Sequence, residues 1–372
     1  MSDVHMLRRL RLRERCAAHG SAAGAVLVTR PANVRYLAGA GQPGAVLLLA
    51  PDGRDTLVLP ADLPPQPPAA WGPPSGVRVL DLSGEDADGA VAAAALAARS
   101  GADSLAVEEH DVTVARHRAL RAAAPELPLA PLTCAVEQQR LVKDEDEIAA
   151  LRIAAEITDH ALGELLESIL VGRTERHLAL ELERRLIDHG AEGPAFPTSV
   201  ATGPHAGLAA HAPTDRRVEE GDFLSVRLGA RYRGYRCRIA RTFVIGTAPA
   251  AWQIELYDLV FAAQRAAREA LAPGAACRDV DRAARTVLDS AGYAEALGPA
   301  TGHGVGLEIG EDPRLAPAAV SKLDDRVPVT VEPGVHLPGR GGVRIDDTLV
   351  VRPAADGGPE LLTITTKELL AL

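Results

Sequence analysis

Short apolar runs alternate with helical patterns through the first part of the chain. GAVLVTR and GAVLLLAPDGRDTLVLP are rich in Val and Leu, which is typical of strands, and Asp52-Gly53 predicts a turn between two of them. VAAAALAARSG and VTVARHRALRAAAP have the spacing of helices that end at Gly101 and Pro125. The proline-dense LPPQPPAAWGPPSG predicts an irregular loop. This alternation predicts an α/β domain over residues 1–138.

A different pattern begins near residue 139. LVKDEDEIAALRIAAEITDHALGELLESI carries apolar residues at helical spacing over many turns, and Thr174 is placed to cap a second helix, TERHLALELERRLIDHG. Strand-like stretches follow, with two further helices predicted over 252–272 and 278–291. Helices that pack on a largely antiparallel sheet, an α+β layout, are the expected architecture of residues 139–372.

The charge balance narrows the choice of partners. The chain has a formal net charge of −10 and a pI of about 5.6, which argues against nucleic acid or an anionic membrane surface. No apolar run approaches the ~20 residues of a membrane-spanning helix, and the N-terminus lacks the apolar stretch of a signal peptide. The four cysteines show no CxxC spacing, which fits a reducing compartment. We therefore expect a cytoplasmic protein that binds neither nucleic acid nor membrane.

Four separated stretches combine His, Glu, Asp or Arg with Gly or Pro at predicted turns and strand ends. They are FPTSVATGPHAGLAAHAPTDRRVEEGD, LSVRLGARYRGYRCRIARTF, TGHGVGLEIGEDP and VEPGVHLPGRGGVRIDDTLVV. A scaffold holds such positions rigidly, and binding groups are often found there. Taken singly, each has a simpler interpretation: His303 as a turn residue, Glu332 as a strand-end residue, and Asp346 with Asp347 as a solvated pair.

Together and in this order, the four stretches resemble the creatinase / Xaa-Pro aminopeptidase (prolidase) family of pita-bread metallopeptidases. ANVRYLAGAGQPGAVLLLAPDG resembles the N-terminal domain of that family, and LVKDEDEIAALRIAAEI resembles its inter-domain helix. The resemblance covers nearly the whole chain. It implies a C-terminal pita-bread domain of the α+β class, preceded by a creatinase-like N-terminal α/β domain, and it implies a homodimer.

Members of this family bind two divalent metal ions through two Asp, one His and two further carboxylates, and the ions turn a bridging water into hydroxide. By the resemblance, His303 and Glu332 match two of these ligands, and Asp346 stands where the family has its final Glu. The two Asp positions are occupied by Arg227 and Arg238. A guanidinium offers a metal no lone pair and stays protonated. We therefore expect the dinuclear site to be lost, with no metal and no cofactor bound.

Imidazoles have been both removed from this pattern and added to it. Ala210 and Gly310 stand where the family has histidines, whereas His205 and His336 stand where it more often has Asn and Tyr. Groups that can transfer a proton near neutral pH therefore remain. The family also includes creatinase, which acts on a C–N bond of a small zwitterion without a metal.

Strand alternation points Arg227 and Arg238 toward the same space as Glu332 and Asp346, which leaves three alternatives. In the first, Arg–carboxylate pairs fill the old metal site of a catalytically inactive binding or scaffold protein. In the second, which we favour, a guanidinium keeps a free edge that binds the carboxylate of a small anionic or zwitterionic substrate in a metal-independent enzyme. The third, an active Xaa-Pro metallopeptidase, conflicts with the two arginines.

The residues expected at the site fall into two groups. The candidate catalytic residues are His211, His303, Glu311 and Glu332. The candidate substrate-binding residues are Arg227, Arg238, His205, His336, Arg344 and Asp346. Three further arginines are expected to face solvent or a subunit contact near the hairpin turn predicted at 231–234: Arg231, Arg233 and Arg236.

Overall fold

The structure, a computed structural model, describes residues 4–18, 24–39, 41–60, 76–82, 88–168 and 170–372. Contacts between residues divide the chain into two compact units, Met1–Arg140 and Leu141–Leu372. The proline-dense loop predicted from the sequence lies outside the described residues, apart from its last position. Within the described parts of the chain, no helix combines the length and the apolar character needed to cross a membrane.

The first unit alternates strands and helices, as predicted. Its strands are β1 (Ala25–Val28), β2 (Val46–Leu49), β3 (Asp55–Leu59), β4 (Val77–Asp81), β5 (Leu105–Val107) and β6 (Leu129–Pro131). Its described helices are α1 (Val4–Ala18), α2 (Pro31–Ala38), α3 (Gly89–Arg99), α4 (Val114–Ala123) and α5 (Ala135–Arg140). The strands form one sheet in the order β4-β3-β2-β1-β5-β6. The pairs β1–β2 and β2–β3 are antiparallel and the other pairs are parallel.

Small side chains allow α3 to pack closely in this unit. Ala90, Ala93 and Ala97 are fully buried in the same cluster as the apolar residues of the central strands. The predicted Asp-Gly turn lies between β2 and β3, with Gly53 at a φ of +78°. Helices α2 and α5 were not predicted, because eight and six residues are too few to show a helical period.

The second unit combines helices with antiparallel strands, which confirms the α+β prediction. Its described helices are α6 (Glu145–Leu166), α7 (Glu175–Asp188), α8 (Ala251–Glu269) and α9 (Cys277–Ser290). Its first strands are β7 (Gly193–Pro194), β8 (Ser199–Thr202), β9 (Phe223–Leu228), β10 (Ala230–Tyr232), β11 (Tyr235–Arg236), β12 (Ile239–Val244) and β13 (Gly302–Val305). The remaining strands are β14 (Ile309–Leu315), β15 (Pro328–Val331), β16 (Gly334–Leu337), β17 (Gly341–Arg344), β18 (Asp347–Val350) and β19 (Glu360–Leu361). The apolar core packs α8 and α9 against β15 to β18.

Capping residues fix where the first two helices of this unit begin. The side chain of Asp144 accepts a hydrogen bond from the backbone N–H of Glu147, and the Glu147 carboxylate accepts one from Asp144. Thr174 caps α7 as predicted, because its hydroxyl accepts from the N–H of His177. The cap places Glu175 in the first turn of α7.

The sheet β12-β9-β8 positions the first arginine of interest. Arg227 lies on the central strand β9, between Ser199 of β8 and Ala240 of β12. Ala240 in turn forms a backbone bridge with Asp346. Arg227 and Asp346 are therefore only one strand apart.

A hairpin turn separates β9 and β10 from the segment that carries Arg238. Arg233 and Gly234 both adopt positive φ, at +49° and +82°, in the turn between the paired β10 and β11. Positive φ at both central residues is the geometry that matches the twist of hairpin strands. Before the turn, a Cβ at Gly229 would lie 1.9 Å from the carbonyl oxygen of Cys237, so only glycine fits. The turn that was predicted at 231–234 is confirmed.

Candidate active site

Arg238 is a paired, buried cation at the centre of the site. Its Nη2 lies 2.9 Å from Oε2 of Glu332, and its Nε lies 3.0 Å from Oδ2 of Asp346. The guanidinium also stands over the ring of Phe196, 5.4 Å from its centroid. Because both carboxylates are buried, they need such charged hydrogen-bond partners to remain ionised.

A second arginine, Arg344, binds the same two carboxylates. Its Nη2 lies 2.5 Å from Oε2 of Glu332, and its Nε lies 2.8 and 2.9 Å from the two oxygens of Asp346. Burial acts to lower the pKa of Arg344, but Asp346 and Glu332 outweigh burial and raise it. Likewise, burial acts to raise the pKa of Glu332, but Arg238, His303 and Arg344 hold it well below its usual range. Both carboxylates are thus committed to arginines.

His303 lies on strand β13 and contacts the other oxygen of Glu332. Its Nε2 is 2.8 Å from Oε1 of Glu332, and its Nδ1 is 2.9 Å from the carbonyl oxygen of Gly304. The hydroxyl of Thr330 donates to the same carboxylate oxygen. Nη1 of Arg238 also lies 3.4 Å from Nε2 of His303, so this nitrogen contacts both Glu332 and Arg238.

Arg227 differs from these two arginines because it lacks a partner. Among the described residues, its side chain forms no ion pair, and its Nε is buried without a hydrogen bond. Burial, Arg344 and Arg238 lower the pKa of Arg227 to about 10, so it stays charged at neutral pH. Arg227 is half-buried, as are Arg344 and His336, whereas the two carboxylates are buried.

The cluster therefore carries more positive than negative charge. Arg227, Arg238 and Arg344 supply three positive charges, and Glu332 and Asp346 supply two negative charges. At least one positive charge remains, even before the imidazole is counted. An anion is the ligand that this charge balance would attract.

His336 offers a neutral imidazole beside the cluster. Its Nδ1 is buried and has no hydrogen-bond partner within the described parts of the chain. Burial lowers the pKa of His336, and the neighbouring Arg344 lowers it further. A neutral imidazole has one nitrogen with a free lone pair, so His336 can accept a proton at neutral pH.

A second group of titratable residues surrounds Glu175. This fully buried carboxylate accepts from the N–H groups of Thr202 and Thr214 and from the Thr214 hydroxyl. Nδ1 of His205 and Nε2 of His211 lie 2.9 and 2.8 Å from its two oxygens. Burial acts to raise the pKa of Glu175, but these hydrogen bonds outweigh it and lower the pKa to about 2.

Two groups of described residues bring three potential metal ligands within 4.8 Å of one another. They are Glu175 with His205 and His211, and His110 with Cys134 and Glu137. In the first group, the carboxylate already accepts three hydrogen bonds from two threonines, which leaves it little capacity for an ion. Among the described residues, His303, Glu332 and Asp346 do not form such a group.

Glu311 forms a buried ion pair of its own. Nζ of Lys143 lies 3.0 Å from Oε2 of Glu311, and the N–H of Glu308 donates to Oε1 over 2.9 Å. A Cβ at Gly306 would lie 2.8 Å from Oε2 of Glu311 and 2.9 Å from Cε of Lys143, so glycine leaves room for the pair. The carboxylate is neutralised by lysine.

Three of the sequence-based interpretations are wrong. Asp346 and Asp347 are not a solvated pair, because both are fully buried and arginines bind them. His303 is not a turn residue, because it pairs within the sheet of β13. Arg236 does not simply face solvent, because its guanidinium is half-buried and donates to backbone carbonyls, including that of Leu307.

Comparison with known proteins places this site in a family. Residues 149–353 match the profile of metallopeptidase family M24, and residues 8–142 match that of the creatinase/prolidase N-terminal domain. The M24 match alone spans more than half of the chain. The chain belongs to metallopeptidase family M24. This confirms the resemblance that the four sequence stretches indicated.

Relatives in the M24 family include proline-specific peptidases. A Xaa-Pro dipeptidase of Pyrococcus furiosus is 38% identical to this chain over 235 residues. The matched residues are 63% of this chain and 66% of the dipeptidase, so the match spans just under two thirds of the dipeptidase. The solved Xaa-Pro dipeptidase from Bacillus anthracis superposes with a TM-score of 0.89 at 30% identity, over 99% of this chain and 100% of that one. An X-Pro aminopeptidase from Thermotoga maritima gives 0.88 at 28% identity, over 98% and 99%. The creatinase-like N-terminal domain and the pita-bread C-terminal domain are therefore confirmed.

The predicted M24 site residues separate into three places in the second unit. One cluster contains Arg227, Arg238, His303, Glu332, His336, Arg344 and Asp346. His205 and His211 are bound to Glu175, and Glu311 is bound to Lys143.

Sequence reasoning missed three residues that shape these clusters. Glu175 and Lys143 lay inside patterns that were interpreted only as helix starts, so nothing pointed to their side chains. Thr330 could have been found, because it stands two positions before Glu332 on one strand and therefore faces the same side. Its hydroxyl donates to the Glu332 carboxylate.

Proposed function

We propose that this M24 protein has lost the dinuclear metal site of the family and is a metal-independent enzyme. Its substrate is a small carboxylate-bearing molecule that resembles an amino acid or a dipeptide. The observation that carries this proposal is the free guanidinium of Arg227. It stays charged and is only half-buried, beside a cluster whose own carboxylates already have partners.

The donor set argues against the family's metal centre. Two of the positions that the resemblance assigns to metal ligands carry Arg227 and Arg238, which cannot coordinate an ion. The remaining carboxylates, Glu332 and Asp346, already form ion pairs with Arg238 and Arg344. A dication would have to displace these guanidiniums, and their positive charges would then repel it. At about 4 Å this Coulomb repulsion costs on the order of several kcal/mol.

In the proposed enzyme, Arg227 binds the substrate carboxylate through two parallel N–H donors. His336 is the group that accepts a proton, because its imidazole is neutral and one of its nitrogens has no partner. We assign proton donation to His303, whose Nε2 lies 2.8 Å from Oε1 of Glu332. Arg238 and Arg344 fix Glu332, and thereby His303, in place.

Metal content and ligand binding test this proposal together. Protein purified from cells grown with added Mn²⁺, Co²⁺ and Zn²⁺ is expected to contain well under one of these ions per chain by elemental analysis. In EDTA, a panel of small carboxylic acids is expected to include members that raise the melting temperature. One or two bound ions per chain, with Xaa-Pro cleavage that chelators abolish, would refute the proposal and support an active metallopeptidase.

A second candidate function is favoured by the ion pairs themselves. Arg238 and Arg344 fill the space between Glu332 and Asp346, as expected for an inactive binding or scaffold protein on the M24 fold. The same ligand panel separates the two candidates. If no carboxylate stabilises the protein with or without Mn²⁺, the scaffold function is supported.

Three further expectations accompany the proposal, on location, assembly and partners. The four cysteines are free, which suits the reducing cytoplasm. A homodimer is the assembly that the family resemblance implies, and a sedimentation experiment measures it directly. Neither nucleic acid nor membrane is proposed as a partner, given the acidic net charge of −10.

A further inference from the structure

The charges around Arg227 restrict its ligand to a narrower class than carboxylic acids in general. Amino acids and dipeptides with a free amine carry an ammonium as well as a carboxylate at neutral pH. A site that binds such a zwitterion needs an acidic group with a free edge for the ammonium, in addition to an arginine for the carboxylate. The hydrogen-bond and ion-pair partners of each carboxylate show whether it has such a free edge.

Glu332 has no lone pair left for an ammonium. Its Oε1 accepts from Thr330 and lies 2.8 Å from Nε2 of His303. Its Oε2 lies 2.9 Å from Nη2 of Arg238 and 2.5 Å from Nη2 of Arg344. A carboxylate offers about four lone-pair positions, and all four are used here.

Asp346 is equally unavailable, for a different reason. Its oxygens contact Nε of Arg238 at 3.0 Å and Nε of Arg344 at 2.8 and 2.9 Å. Its side chain is fully buried, so a ligand in solvent could not reach an oxygen without displacing these arginines.

The carboxylates of the two other groups described above, Glu175 and Glu311, also have partners. Glu175 is fully buried and holds His205 and His211 together with threonine donors. Glu311 is nearly buried and forms its ion pair with Lys143. None of these four carboxylates is available to an ammonium that entered beside Arg227, whereas the positive charges of Arg238 and Arg344 lie close to it.

We infer that the site selects carboxylic acids whose amino group is absent or acylated, and that it discriminates against the free amines. Arg227 is the residue that determines this specificity, because its unpaired guanidinium supplies the carboxylate partner. None of the four carboxylates has a free edge for an ammonium, and the neutral imidazole of His336 offers an acceptor without a negative charge. This inference rests on the proposed function, since it assumes that Arg227 binds a substrate carboxylate. It differs from the activity for which the relatives are named, that of Xaa-Pro dipeptidases and aminopeptidases.

Matched ligands test the inference on the unaltered protein. Alanyl-proline and N-acetyl-alanyl-proline share one carboxylate, but the first carries a charged ammonium where the second carries a neutral acetylated amide. In titration calorimetry in EDTA at pH 7, we expect the dissociation constant of N-acetyl-alanyl-proline to be at least tenfold lower than that of alanyl-proline. The methyl ester of the acetylated compound, which lacks the carboxylate, is expected not to bind.

Arg227→Met is the matched variant. It keeps the apolar stem but removes the charge, and we expect the acetylated ligand to bind about tenfold to a hundredfold more weakly, as for a lost hydrogen bond between charged groups. Arg227→Lys keeps the charge without the planar fork and is expected to recover part of the affinity. Circular dichroism of both variants reports whether they fold.

The outcomes separate this inference from the proposal beneath it. If the free amine binds as tightly as the acetylated ligand and Arg227→Met abolishes both, the selectivity is refuted while carboxylate binding stands. If neither ligand binds, or if binding appears only with added Mn²⁺, both the inference and the metal-independent function are refuted.

Discussion

The two arginines that the resemblance places at aspartate positions should differ strongly in how much stability the same substitution removes. Arg238→Met removes a buried guanidinium that lies 2.9 Å from Glu332 and 3.0 Å from Asp346. Arg227→Met removes one that has no partner among the described residues. Both changes replace a long cation by a long apolar side chain, so each variant is the control for the other.

The structure sets the size of the difference. Breaking a buried ion pair by removing one partner costs about 3–5 kcal/mol. Because Arg344 still contacts both carboxylates, we expect the lower end, about 3 kcal/mol, for Arg238→Met. For a unit of this size that free energy lowers the melting temperature by about 6–12 °C. Arg227→Met should change stability by less than about 1 kcal/mol, because it removes an unpaired, partly desolvated cation and its repulsion by two other arginines.

Differential scanning calorimetry at pH 7 in EDTA measures this difference, with all three proteins scanned at one rate. Urea unfolding followed by circular dichroism provides a second measurement, since two compact units need not melt in a single step. The reasoning is refuted if Arg227→Met lowers the melting temperature as much as Arg238→Met does. That result would mean that Arg227 has a structural partner and that no guanidinium is free for a ligand.

Two further predictions concern the other buried carboxylates. The folded-state pKa of Glu175 is about 2 against an ordinary value of 4.5, so its contribution is complete above pH 4.5 and is lost as the pH falls toward 2. That contribution is about 3 kcal/mol. In Glu175→Gln, the urea midpoint of unfolding should therefore fall less steeply as the pH is lowered than it does in the unaltered protein. An unchanged dependence on pH would contradict the assignment. Lys143→Met should destabilise the protein by about 3 kcal/mol because it leaves Glu311 buried without its cation. The double variant with Glu311→Gln should recover part of that loss, and strict additivity of the two single changes would show that they do not interact.

The sequence predicted the large elements of the fold because each repeats its pattern over several turns or residues. Helix α6 shows its apolar spacing over more than twenty residues, and the hairpin at Arg233 and Gly234 combines a glycine with flanking strand residues. Short elements such as α2 were not predicted, because a helix of eight residues has barely two turns in which to show a periodic pattern. Family motifs then located His303, Glu332 and the two arginines that the resemblance places at aspartate positions.

Pairing within the site could not be predicted in the same way. Strand alternation says that Arg227 and Arg238 point toward one space, but it does not say which one reaches the carboxylates. The answer depends on geometry: Arg238 lies in the break between β11 and β12 and contacts both acids, whereas Arg227 is held one strand away. Lys143 and Glu175 were missed because the pairs that they form join segments far apart in sequence.

The surplus charge is the feature that a purely structural account of the site leaves unexplained. Removal of two metal ions would leave Glu332 and Asp346 buried and without cations, and Arg238 with Arg344 already provides one guanidinium for each. A third arginine adds nothing to this compensation, and burying part of an unpaired cation disfavours folding. An apolar or small polar residue at position 227 would suffice for a scaffold. Arg227 therefore makes physical sense if an anion completes the cluster, with the carboxylate of a ligand taking the place that a third acidic side chain would otherwise fill.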